Sequence, residues 1–187
     1  MTFRPASFLL VAGALLASCT DQPATTTPPA APASPAAAAP VAAPATTRYA
    51  GKYRWREADK DDMGGTLTVY PESDSTILFQ VDANGGAPAY NMAGVFGRAH
   101  LRGDTAAYFG KAPEDKHGCR LKIGFSPKAA KVILVSQGEN DCYFGGNFTP
   151  EATYRRTSHA VPQQVISDGN DTLRFAHLPP DALKDSH

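Results

Sequence analysis

The chain has 187 residues, with 18 basic and 18 acidic side chains, which suits one ordinary domain with extensions. A net charge of zero excludes the basic excess on which nucleic-acid binding rests. Fourteen of the 17 aromatic residues and 14 of the 16 glycines lie between Tyr49 and Ser158, so the capacity to fold is concentrated in that window.

Residues 1–18 have the order of a secretory signal: a positive start at Arg4, an apolar run from Phe8 to Leu16, then small residues. The apolar run is far shorter than the ~20 residues a membrane-spanning helix needs. Leu16-Ala17-Ser18-Cys19 directly after it resembles the lipobox of bacterial lipoproteins. That resemblance implies cleavage before Cys19 and acylation of its thiol and amine, an effectively permanent anchor at ~0.8 kcal/mol per buried CH₂. In lipoproteins of double-membrane cells an aspartate just after the cysteine retains the protein in the inner membrane. Thr20 stands there instead, and the resemblance implies the outer membrane, with the domain facing the periplasm.

Residues 19–48 read as a disordered tether. Between Thr20 and Thr47 there are 11 Ala, 7 Pro and 6 Thr, too little apolar surface for a core and too many prolines for a helix. Fully stretched it would reach roughly 80–90 Å at ~3.1 Å per residue.

Residues 49–158 show period-two alternation and turn signals. Tyr53 and Trp55 alternate with Lys52, Arg54 and Arg56; Ile77, Phe79 and Val81 follow the same rule, as do Leu121, Ile123 and Phe125. Strands are predicted near 50–57, 65–71, 76–83, 89–100, 105–110, 119–126, 131–137, 142–148 and 152–157. The fold class is all-β: a small antiparallel meander of about eight or nine strands, forming a barrel or a sandwich. Residues 159–187 are a C-terminal hairpin, with Asp168-Gly169 as its turn, or a frayed tail.

With Cys19 acylated, Cys119 and Cys142 remain as an even pair in an oxidising compartment, which predicts one disulfide. The predicted strands that they open are next-but-one neighbours, ~9.5 Å apart in a flat sheet. The bridge therefore requires the 138–141 loop to fold over the rim. In a meander alternate loops share an end, which gathers 58–64, 84–88, 111–118 and 138–141. These loops carry seven acidic against three basic side chains, a net of −4, a field that favours a basic partner. The candidate partner-binding residues are Asp59, Asp61, Asp62, Glu114, Asp115, His117, Glu139 and Asp141.

Other chemistry is not indicated. Asp59, Asp61 and Asp62 start a calcium-loop pattern with Gly64 at its sixth position, but Met63 and Tyr70 stand where ligands belong, and no metal is expected. The histidines lack metal-ligand spacing, and there is no G-x-S-x-G, phosphate-cradling loop or CxxC. Neither a cofactor nor enzymatic activity is expected.

Gly51-Lys52-Tyr53-Arg54-Trp55 and Tyr154-Arg155-Arg156 resemble the opening G-x-aromatic and the closing arginine of lipocalin-like barrels. That resemblance implies an arginine packed over a first-strand ring. The lipobox, tether and domain size together resemble envelope lipoproteins that inhibit lysozymes or confer immunity to wall-degrading toxins. The likeness is architectural, and it implies a protein partner, a basic cell-wall hydrolase or toxin. The alternatives are a lipocalin-like carrier of a small apolar ligand and a structural envelope lipoprotein.

Overall fold

In β1 (Gly51–Arg56) Gly51 and Tyr53 are buried, while Lys52, Arg54 and Arg56 are exposed. Similar alternation runs through β2 (Met63–Pro71), β4 (Met92–Arg102), β5 (Thr105–Gly110), β6 (Cys119–Phe125), β7 (Ala129–Leu134) and β8 (Ala152–Ser158), whereas β3 (Thr76–Gly85) is buried on both faces from Ile77 to Val81. A computed structural model of the chain describes residues 42–56, 62–111, 118–135, 142, 144–145, 148–166, 171–178 and 183. Residues 1–18, Cys19 and most of the tether lie outside the described residues. The eight strands close in sequence order into an antiparallel barrel, with β8 pairing back onto β1. The fold is all-β, and the closed ring decides the barrel over the sandwich.

None of the described residues of the predicted strand 142–148, which are 142, 144, 145 and 148, is in a strand. The Phe148 N–H donates to the Gly145 carbonyl at 3.0 Å, a tight turn that ends any extended run. β7 pairs directly with β8, with Val132 opposite Ala152. Neighbours in a meander alternate in direction, so the last strand is antiparallel to the first only when the strand number is even. A ninth wall strand would have set parallel edges together.

The interior is filled. Tyr53, Tyr154, Phe79, Leu67, Ile77, Leu121 and Ile123 are all under 2% exposed, as expected where eight strands leave space only for side chains. The Tyr108 ring stands edge-on to Phe79, centres 5.2 Å apart. It lies against Gly97, where a Cβ would come within 2.3 Å of it. That glycine, in the middle of β4, makes room for the ring. β4 and β5 pair only through His100–Arg102 and Thr105–Ala107, and Tyr108 stands just beyond the last pair.

One end of the barrel is closed by a 3₁₀ turn, Ala45–Tyr49. Tyr49 stacks on Phe125 with ring centres 4.6 Å apart, and its hydroxyl donates to the Asp104 carboxylate and the Gly103 carbonyl. The Ala45 N–H donates to Asp74 at 2.7 Å, and the Tyr53 hydroxyl donates to the Tyr49 carbonyl at 2.7 Å. Residues 45–48 are therefore ordered against the folded unit. Composition pointed the other way, because Tyr49 alone supplies the apolar contact that pays for ordering them.

At the seam, the Arg156 guanidinium lies over the Tyr53 ring, 5.3 Å from its centre, and donates to the Ala50 carbonyl. Gly51 has φ +141°, and a Cβ there would lie 2.0 Å from the Ser158 carbonyl oxygen. The opening glycine is thus required by the closeness of β8. This is the arrangement the lipocalin-like resemblance implied.

A second small layer sits on the outer wall. β9 (Gln164–Ile166) and β10 (Thr172–Arg174) pair as a hairpin, followed by a 3₁₀ turn, Phe175–His177. Val165 and Phe175 bury Leu78, which points outward from β3. The Gln80 amide donates to the Ile166 carbonyl at 2.8 Å.

Burial pushes the Tyr154 phenol well above its usual range, and the Asp82 carboxylate adds to the shift. Burial also raises Tyr53, against the pull of Arg156. The folded state keeps these protons above pH ~10, where the unfolded chain loses them. Stability contributed this way is complete below that pH and declines as pH rises through the folded values. Tyr154 alone should give a slope of up to ~1.4 kcal/mol per pH unit. Urea unfolding between about pH 9 and 11 measures it; Tyr154→Phe should flatten the alkaline limb, and an unaltered limb would remove this assignment.

Candidate functional site

Because the meander alternates, the connections 57–62, 86–91, 111–118 and 135–151 join strand ends at one end of the barrel, and the short turns lie at the other. Four described residues of the long connection before β8, Cys142, Phe144, Gly145 and Phe148, lie at the mouth. Cys142 bridges to Cys119 at the head of β6, with Cα atoms 4.5 Å apart, and Phe144 packs into the core at 7% exposed. Farther on, a Cβ at Gly145 would lie 3.3 Å from the Met92 carbonyl oxygen of β4, and one at Gly85 of β3 would lie 3.1 Å from the Phe148 ring. These four residues thus make contacts from β6 to the β3–β4 side. Cys142 is not on a neighbouring strand, so the strand spacing that seemed to oppose the bridge does not apply.

Of the predicted partner-binding residues, only Asp62 is among the described residues. It is exposed at the head of β2 and accepts a hydrogen bond from the Tyr90 hydroxyl at 3.1 Å. This bond raises the Tyr90 phenol. Asp59, Asp61, Glu114, Asp115, His117, Glu139 and Asp141 lie outside the described residues.

Tyr90 was not foreseen. It has φ +50°, a conformation that is costly for a bulky residue and is retained where the surroundings impose it. The Tyr90 N–H donates to the Gly86 carbonyl at 2.8 Å, and the side chain is 50% exposed beside Met92, itself 57% exposed. The sequence signal was Asn84-Gly85-Gly86 followed by an aromatic residue, a turn that needs something to anchor its far side.

Hollows also lie outside the packed core. One, of about 260 Å³, adjoins this end and is lined by Arg54, Arg56, Asp62, Thr66, Asp82 and Asn84 among others. The second, of about 970 Å³, lies on the outer wall over β4, β5 and β6. Its Arg98, His100 and Arg102 occupy alternate positions of one strand, and Arg120 and Lys122 do so on another. Taken one strand at a time, both runs read as solvated faces, each a basic side chain at alternate positions. Arg98 is held by both oxygens of Glu72 at 2.6 Å, and the Arg98 cation keeps that carboxyl below its usual range. Among the described residues no three His, Cys, Asp or Glu side chains are grouped closely enough to hold a metal.

Compared with protein-family models, with curated proteins and with solved structures, the chain gives no match.

Proposed function

We propose that this protein is a binding module, anchored through Cys19 to the periplasmic face of the outer membrane, that blocks a basic cell-wall hydrolase or toxin. The observation that carries the reading is the disulfide-braced barrel end, where Asp62 holds Tyr90 exposed on a strained backbone. A rigid aromatic side chain on a fixed turn loses little entropy on binding, and such residues dominate interface energetics. The acidic residues that the sequence assigns to three of the four connections at this end would steer a basic enzyme. The mechanism is steric: the rim enters the hydrolase cleft and excludes its glycan substrate.

The packed interior speaks against carriage of an apolar ligand inside the barrel, which leaves the surface as the working part. The test is inhibition of cell-wall lysis by basic lysozyme-type hydrolases. Exchanging the seven rim carboxylates for their amides should abolish inhibition. Tyr90→Ala should weaken the complex by about 30-fold, the ≥ 2 kcal/mol of an interface anchor. Binding that survives both changes would remove the proposal.

A further inference from the structure

The outer wall formed by β7, β8 and β1 is basic throughout. These neighbouring strands expose Lys131, Arg155, Lys52, Arg54 and Arg56, and none of the three contains an aspartate or a glutamate. The register sets Arg54 directly opposite Arg155. Lys131 faces Thr153, two residues before Arg155 on the same face. Side chains directly opposite in an antiparallel pair have Cβ atoms only ~4.5–5.5 Å apart, and like charges placed so cost stability. The fold keeps two arginines in that position at the seam that closes the barrel.

The ion pairs between described residues are Arg48–Asp104 and Arg98–Glu72, and neither involves this wall. Glu151, just before β8, accepts the Leu134 N–H at 2.8 Å. The wall also has an apolar part. Beyond Lys131, Ile133 and Val135 follow on the same face, each 37% exposed. The Val135 N–H donates to the Arg120 carbonyl at 2.8 Å, which continues the ladder past the end of β7. The hollows described above take in no residue of β7 or β8, so these charges are spread over a convex surface and are not gathered into a pocket.

We propose that this wall docks on an anionic lipid surface. Lys131, Arg155, Lys52, Arg54 and Arg56 each meet a separate headgroup phosphate, and Ile133 and Val135 enter the boundary between headgroups and acyl chains. A fluid layer of headgroups places one anion against each of several scattered cations, which a single small oxyanion cannot do. It also relieves the opposition of Arg54 and Arg155. Lysine and arginine stems cover apolar surface while their charges stay at the interface. A soluble acidic polymer would satisfy the charges but leave Ile133 and Val135 in water. The wall shares none of the residues assigned to the rim, so the proposal stands apart from the hydrolase reading.

The test uses the full chain with Cys19→Ser, so that no acyl group is attached and any membrane affinity of residues 1–18 is common to every variant. In sedimentation with vesicles, phosphatidylcholine containing about one-third phosphatidylglycerol should bind it at least about tenfold more tightly than phosphatidylcholine alone. Raising the salt from about 0.1 M to about 0.5 M should remove that difference, because screening shortens the reach of the wall charges. The exposed triple substitution Arg54→Gln, Lys131→Gln, Arg155→Gln should weaken binding to the anionic vesicles at least about tenfold, ~1.4 kcal/mol, with the circular dichroism of the barrel retained. Removing three exposed cations from other places, by Arg102→Gln, Lys111→Gln and Arg174→Gln, should cost much less. The double substitution Ile133→Ser, Val135→Ser should weaken vesicle binding and leave its salt dependence in place. Equal binding to both kinds of vesicle, equal losses in the two triple variants, or poly-glutamate bound as tightly as vesicles of matched charge would overturn the proposal.

Discussion

Replacing Phe79 by alanine is expected to destabilise the barrel by ~3–5 kcal/mol, the range for a large aromatic removed from a core that cannot close over the gap. Phe79 is fully buried and supports the edge of Tyr108, which itself rests on Gly97. The walls are hydrogen-bonded strands, so they cannot move inward without breaking ladder bonds. Since domains are stable by only ~5–15 kcal/mol, the loss should be plain in urea unfolding and in Tm. A cost under about 1 kcal/mol would mean that the interior collapses freely and is not packed as described.

Breaking the Cys119–Cys142 bridge should have the next largest effect. The cysteines are 23 residues apart, and in the chain-entropy model closing such a loop stabilises the fold by roughly 3 kcal/mol. The Cys119→Ala, Cys142→Ala double variant measures it without free thiols. Amide exchange at 142, 144, 145 and 148 should accelerate far more than exchange in β2 or β3, because the bridge is the covalent tie of these residues at the mouth. If the double variant lost stability but kept slow exchange at those positions, Phe144 and Phe148 would be holding them by packing alone.

The strands were legible because alternation is a local property. Leu121, Ile123 and Phe125 against Arg120, Lys122 and Gly124 can be read as one wet and one dry face wherever the strand is placed. Cys142 and Phe144 obey the same rule and are indeed both buried. They point into the mouth, however, and not through a wall, and period two cannot tell a wall strand from a segment lying across its end. Ile77-Leu78-Phe79 held a usable signal, since three apolar residues in a row mean that both faces of β3 are covered. What covers the outer face, the β9–β10 hairpin, lies far along the chain.

The candidate site was legible as a location more than as a set of contacts. Alternation of direction along a meander is enough to gather the long loops at one end. The strain at Tyr90 and its bond to Asp62 depend on the approach of two connections that are not adjacent in sequence. The cationic hollow over β4, β5 and β6 is further still from local reading. Each basic strand alone looks like an ordinary solvated face, and it is the meander order that sets β5, with Thr105 and Ala107, between them.

By itself, the order of residues determined that this window would be pleated, which side chains would turn inward and where the chain would bend. These follow from short-range preferences and from the exclusion of apolar groups from water. Only the tertiary structure decided that there are eight wall strands, that Cys142, Phe144, Gly145 and Phe148 lie at the mouth, and that Ala45–Tyr49 closes the other end. Closing a ring is a condition on all the strands at once, since β8 must arrive antiparallel to β1 with every ladder bond satisfied. No single stretch of sequence carries that condition.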